Sequence, residues 1–80
     1  MSIEEFAEFL ITNIALEHDL VKVKKFVTEE GTILEILVSE SDMPRVIGKQ
    51  GKVANSIKNL IQIKAYNEGI KSLKINIDSF

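Results

Sequence analysis

The chain contains no cysteine, which excludes disulfides, thiolate catalysis and thiolate-rich zinc sites. No apolar run approaches the roughly 20 residues needed to cross a bilayer. Residues 1–20 open acidic at Glu4, Glu5 and Glu8, without the basic start and apolar block of a secretory signal. Linker-like stretches, internal repeats and low-complexity segments are missing. Aromatic residues are sparse, four phenylalanines and one tyrosine, and none lies near the glycine-containing loop described below. What is present is an 80-residue chain of ordinary composition, expected to be one cytoplasmic domain with a small core.

Catalytic patterns are also lacking. Ser39, Ser41, Ser56, Ser72 and Ser79 have a single possible histidine partner, His18, and nothing in the spacing activates any of them. There is no His/Asp/Glu cluster suited to a metal, and no cofactor is implied. A P-loop needs a longer gap between its glycines, and Lys52 is followed by Val53 rather than by Ser or Thr. A dinucleotide fingerprint needs three glycines after a strand. Enzymatic activity is not expected.

The net charge of −2 conceals two opposed halves. Residues 1–44 carry three lysines against ten acids, whereas residues 45–74 carry Arg45, Lys49, Lys52, Lys58, Lys64, Lys71 and Lys74 against Glu68 alone. From Met43 to Asn67 there are five basic residues and no acid. A local field of this kind steers a polyanion whatever the total charge.

Ser2-Ile3-Glu4-Glu5 has the form of a capping box. Ile3, Phe6, Ala7, Leu10, Ile11 and Ile14 follow at helical spacing, predicting a helix that ends near Leu16 or Glu17. Val21, Val23 and Val27 alternate with lysines as a strand. Glu29-Glu30-Gly31-Thr32 is a turn with Gly31 at positive φ. Ile33 to Ser39 is a second strand, apolar on both faces except at Glu35 and therefore central. Ser41 or Asp42 can cap a short helix with Pro44 in its first turn.

A longer helix follows with Val53, Ala54, Ile57, Leu60 and Ile61 toward the core, closed at Asn67-Glu68-Gly69. Leu73, Ile75 and Ile77 mark a last strand. The order is α-β-β-α-α-β. The short turn makes the first two strands antiparallel, and a right-handed two-helix crossover makes the second and third parallel. The expected fold is α+β, a three-stranded mixed sheet with helices on one face.

Between the two helices lies Val46-Ile47-Gly48-Lys49-Gln50-Gly51-Lys52. Two glycines let backbone N–H groups approach a sugar-phosphate chain with no Cβ in the way. Lys49 and Lys52 stand at the start of a helix, where the dipole favours negative charge by about 0.3–1 kcal/mol per residue. A bound phosphate resolves that conflict.

This segment, followed by Ala54, Ile57 and Lys58 at helical spacing, resembles the core of a KH domain. The element order resembles the prokaryotic type II form, and nearly the whole chain is similar to the KhpA family of small bacterial proteins made of one KH domain. The resemblance implies a cytoplasmic RNA-binding protein, a post-transcriptional regulator or RNA chaperone. It also implies pairing of the chain with itself and with a larger Jag-type (KhpB-like) RNA-binding protein. Gly48 and Gly51 correspond to the backbone clamp, Lys49 and Gln50 to its variable pair, and Ile47 to the apolar residue before it. Lys52 stands where many relatives have arginine, Lys58 matches a basic position, and Asn55 replaces a residue that is often basic. Arg45 joins them as a further RNA contact.

KH modules hold about four nucleotides of single strand, with bases in an apolar groove. Val46, Ile47, Ala54 and Ile57 are the candidates for its wall, of which one or two are expected to touch a base. Phe9, Ile63 and Tyr66 lie at or off the edges of the helical stripes. Either a second subunit covers them, or they pack under loops or against Phe80. That leaves a protein-interaction module as the alternative function.

Overall fold

A computed structural model describes residues 1–80. Helix α1 spans Ile3–Thr12, strands β1 and β2 span Lys22–Thr28 and Gly31–Val38, helices α2 and α3 span Met43–Ile47 and Lys52–Asn67, and strand β3 spans Leu73–Ser79. Short 3-10 turns occupy His18–Leu20, Glu40–Asp42 and Lys49–Gly51. The sheet order is β1-β2-β3, antiparallel between the first pair and parallel between the second. This is the expected α+β arrangement, with β2 central.

The capping box at α1 is formed on both sides: Ser2 Oγ accepts the Glu5 N–H at 3.1 Å and Glu5 Oε1 accepts the Ser2 N–H at 2.8 Å. The helix stops at Thr12, however, four or five residues short of the expected end. The cause is distant in sequence. Asp42 Oδ1 and Oδ2 accept the N–H groups of Leu16 and Glu17 at 3.0 and 2.9 Å, giving them partners that a continued helix would have supplied. Asn13 Nδ2 meanwhile donates to the Phe9 carbonyl at the helix end.

Asp42 is thus no side-chain cap for α2, and Ser41 is none either. Ser39 is the capping residue, accepting the Asp42 N–H at the head of the 3-10 turn. Pro44 does fall in the first turn of α2.

The core joins Ile3, Ala7 and Ile11 of α1, Leu34, Ile36 and Val38 of β2, and Ile57, Ile61 and Ala65 of α3, with Val46 and Ile75 beside them. Each large aliphatic side chain so buried is worth about 1.5–3 kcal/mol relative to exposure. Leu60, expected inside, is 47% exposed, and Ala65 takes a core place instead. The smaller side chain permits close approach where α3 ends. That end is closed by Gly69, with the Ile70 N–H bonded to the Ala65 carbonyl and the Gly69 N–H to that of Tyr66.

Gly31 is at φ +143, and a Cβ there would meet Ser72 at 2.8–2.9 Å. Phe9, Ile63 and Tyr66 are exposed, at 53%, 59% and 83%.

Candidate nucleic-acid interface

Both glycines of the loop joining α2 to α3 have left-handed φ, +75 at Gly48 and +74 at Gly51, and between them Gln50 is held at φ +58. The two glycines are needed for different reasons. A Cβ on Gly48 would lie 2.3 Å from Val53 Cγ2 and 2.7 Å from Val53 Cβ, so its bare backbone is a packing surface for the first turn of α3. A Cβ on Gly51 would meet only Asn55 Nδ2, at 4.0 Å. Gly51 therefore faces open space at the N-terminus of α3. Gly48 sets the angle between the helices, and Gly51 leaves a way in.

The helix start itself is bare. Its N-cap is Gly51, no side chain caps it, and there is no acid in its first turn. The first N–H groups of a 16-residue helix point outward there with the positive end of the dipole. Lys49, Gln50 and Lys52 are exposed around this point, and none of Lys49, Lys52 and Lys58 forms an ion pair.

Lys52, Asn55 and Lys58 recur every three residues, so they run in a line along α3 from the loop. Gln62 continues toward β3, donating to the Leu73 carbonyl at 2.8 Å. The structure thus brings Gly48, Lys49, Gln50, Gly51, Lys52, Asn55 and Lys58 into one region.

Arg45 is on α2 with its side chain about half exposed, and its Nε is 3.7 Å from Asp42 Oδ1. Part of its charge is already answered within the protein. Asp42, expected only as a helix cap, has a role that sequence reasoning missed. Its carboxyl is held below the ordinary aspartate range, first by the Glu17 N–H, then by that of Leu16, with the Ser39 hydroxyl and Arg45 adding to the effect. It fixes the stem from which α2 and the loop project. No local signal reports a partner 25 residues away.

The expected groove wall is largely core. Val46 is fully buried, and Ala54 and Ile57 are 6% and 4% exposed. Only Ile47 is half-buried and able to face a ligand, joined by Val53, which was expected inside.

A family model described as the KhpA/KhpB KH domain matches residues 4–77. The chain belongs to the KhpA/KhpB family of KH domains. RNA-binding protein KhpA of Clostridium perfringens is 35% identical over 68 residues, 85% of this chain and 91% of that protein. RNA-binding protein KhpA of Borreliella burgdorferi is 37% identical over 57 residues, covering 71% and 70%. Both relatives are named for RNA binding rather than for an enzymatic activity.

The KH fold also matches a crystal structure of Era in complex with MgGDPNP and nucleotides 1506–1542 of 16S ribosomal RNA, with a TM-score of 0.69 at 19% identity. That match covers 98% of this chain and 30% of Era, so it speaks to the KH fold alone. No helix is long and apolar enough to cross a membrane.

Proposed function

We propose that this chain binds single-stranded RNA, gripping about four nucleotides at the loop from Gly48 to Gly51. The observation that carries the reading is the start of α3: uncapped, free of acids, and flanked by Lys49 and Lys52 without ion pairs. That arrangement costs stability in the free protein and is resolved by a phosphate. The RNA-binding names of the KhpA relatives support the same reading. Lys58 and Asn55 extend the contact along α3. Arg45 adds a weaker contact because Asp42 shares its charge. Ile47 offers the apolar touch to a base.

Replacing Lys49 and Gln50 together by Asp tests this. Both side chains are exposed, and Asp tolerates the positive φ at position 50, so the fold should survive. Anisotropy titration against short single-stranded RNA should show binding abolished, and unchanged affinity would overturn the clamp. In the native chain, three phosphate contacts give a log–log salt slope of roughly −2, so affinity falls about twentyfold between 50 and 200 mM salt. Lys58→Ala should flatten the slope by about 0.7.

The second reading, a protein-interaction module, is favoured by one observation. Phe9, Leu60, Ile63 and Tyr66 leave large apolar side chains on the outer surface of α1 and α3. A second copy of the chain is the proposed occupant of that surface, and a Jag-type RNA-binding protein is the other candidate on family grounds. An RNA-chaperone or post-transcriptional role in the cytoplasm would combine both activities. Sedimentation at micromolar concentration should show a dimer, and a monomer up to hundreds of micromolar would remove this part.

A further inference from the structure

The clamp leaves one face of the sheet unused. Side chains alternate along a strand, and Leu34, Ile36 and Val38 of β2 point into the core beneath the helices. Ile33, Glu35 and Leu37 therefore point the other way. Strand register places Phe26 of β1 and Lys74 of β3 on either side of Ile33. Lys24 and Lys22 follow Phe26 at spacing two on the same face of β1.

No helix covers this face. Phe26 is 49% exposed, Ile33 and Leu37 are half-buried, and all three lysines are exposed. None of the three makes an ion pair, although Glu35 is the register partner of Lys24. The other acid, Asp78, accepts the N–H of its neighbour Ser79 at 2.8 Å. The hairpin end of the face holds a hollow of about 390 Å³ whose lining includes Ile33, Ser72, Lys74 and the acidic Glu30.

An exposed aromatic ring with unpaired lysines on two sides is poor ground for a protein partner. Lysine is depleted in protein interfaces, and burying it there leaves charge unanswered. A single-stranded nucleic acid answers both features at once, because a base stacks on the ring while its phosphates meet the lysines. No aromatic residue lies near the loop to stack a base there. Phe26 supplies a ring on a different surface.

We infer that the open face of the sheet is a second contact surface for single-stranded RNA, with Phe26 as stacking platform and Lys22, Lys24 and Lys74 as phosphate contacts. This rests on the reading of the chain as an RNA binder but not on the clamp itself. A strand longer than the clamp is then gripped in two places, and six phosphate contacts in all give a salt slope of roughly −4.

The test compares five-nucleotide and twenty-nucleotide oligoadenylates by anisotropy, over a range of salt. A protein carrying Lys22→Gln, Lys24→Gln and Lys74→Gln should fold normally, since all three side chains are exposed. Its slope on the long oligomer should flatten from roughly −4 to roughly −2, with the short oligomer unaffected. Phe26→Leu keeps an apolar side chain opposite Ile33 and removes the ring. It should lower affinity for the long oligomer at least about fivefold, again sparing the short one.

Native binding of the long oligomer by both variants overturns the proposal, and so does equal loss on both lengths. Native RNA binding with lost self-association in sedimentation overturns it too, and assigns the face to a second copy. If the Lys49→Asp, Gln50→Asp protein loses the short oligomer but keeps lysine-dependent binding of the long one, both surfaces stand. If it binds the short oligomer like the native chain while the long one stays lysine-dependent, the sheet face stands and the clamp falls. If that protein is inactive while the glutamine variant is native, the clamp stands and the sheet face falls.

Discussion

Helix α1 starts with a reciprocal cap between Ser2 and Glu5 and with Glu4 and Glu5 in its first turn. Helix α3 starts with a glycine in left-handed conformation, no capping side chain, no acid, and Lys52 in its first turn. The chain therefore uses the stabilising devices of a helix N-terminus at one place and omits every one of them at another. The first helix lies in the acidic half, where nothing asks for a vacant N-terminus. The second lies in the basic stretch, and its unsatisfied N–H groups are the resource that a phosphate would use. On the proposed reading, stability and binding are assigned to different helix starts.

The largest expected effect breaks the packing beneath the second of them. Gly48→Ala adds a Cβ 2.3 Å from Val53 Cγ2 at a backbone angle that disfavours any side chain. Overpacking and left-handed strain together should cost about 2–4 kcal/mol, a fall in Tm of more than about 10 °C. A Tm close to that of the native chain would show that the angle between α2 and α3 yields freely. Ser2→Ala attacks the other start. It should cost about 1 kcal/mol in urea denaturation while leaving RNA affinity untouched, and any loss of affinity would show that the two starts are coupled.

Lys52→Glu sharpens the comparison from the opposite side. It should stabilise the free protein by about 0.3–1 kcal/mol, since the charge then agrees with the helix dipole. RNA affinity should fall in the same variant, and a gain in both would sever the link between the bare helix start and binding.

The smallest effect is on acid sensitivity. The Glu5 carboxyl is held below the ordinary glutamate range, chiefly by the Ser2 backbone N–H and then by its hydroxyl. Its contribution is therefore complete above the ordinary carboxylate pKa and is lost as pH falls through the lowered value. The difference in Tm between the native chain and Glu5→Gln should narrow as pH is lowered toward about 3. A gap constant with pH would remove Glu5 from the cap.

Local features are legible in the residues themselves. The capping box, the turn at Gly31, the loop from Gly48 to Gly51 and the closing Gly69 each depend on a few consecutive residues, and each stands where its spacing placed it. The mixed sheet followed from connection lengths and handedness. What failed depended on distant partners. The helical stripe runs on to Ile14, and nothing in residues 1–20 announces that Asp42 will take the N–H groups of Leu16 and Glu17.

The groove wall failed for a related reason. Val46, Ala54 and Ile57 have the right spacing for a wall, but the same spacing serves a core, and the core claimed them. Periodicity finds the apolar side of a helix without saying whether protein or ligand covers it. With helices expected on one face of the sheet, an open face was implied, but the alternation along β1 and β3 did not by itself show that Phe26 and Lys74 would flank Ile33 there.

The two neighbours of β2 are joined to it over very different lengths of chain. Hairpin partners are between 3 and 15 positions apart, whereas every pair between β2 and β3 spans 41. The hairpin can close in microseconds, whereas the parallel pair closes a much longer stretch of chain and is the slower contact to form. Without β3 the most apolar strand of the chain has one bare edge. Only the crossover through α2 and α3 returns the chain to that edge, so the last strand reaches its place in the sheet through the same helix pair that carries the candidate site.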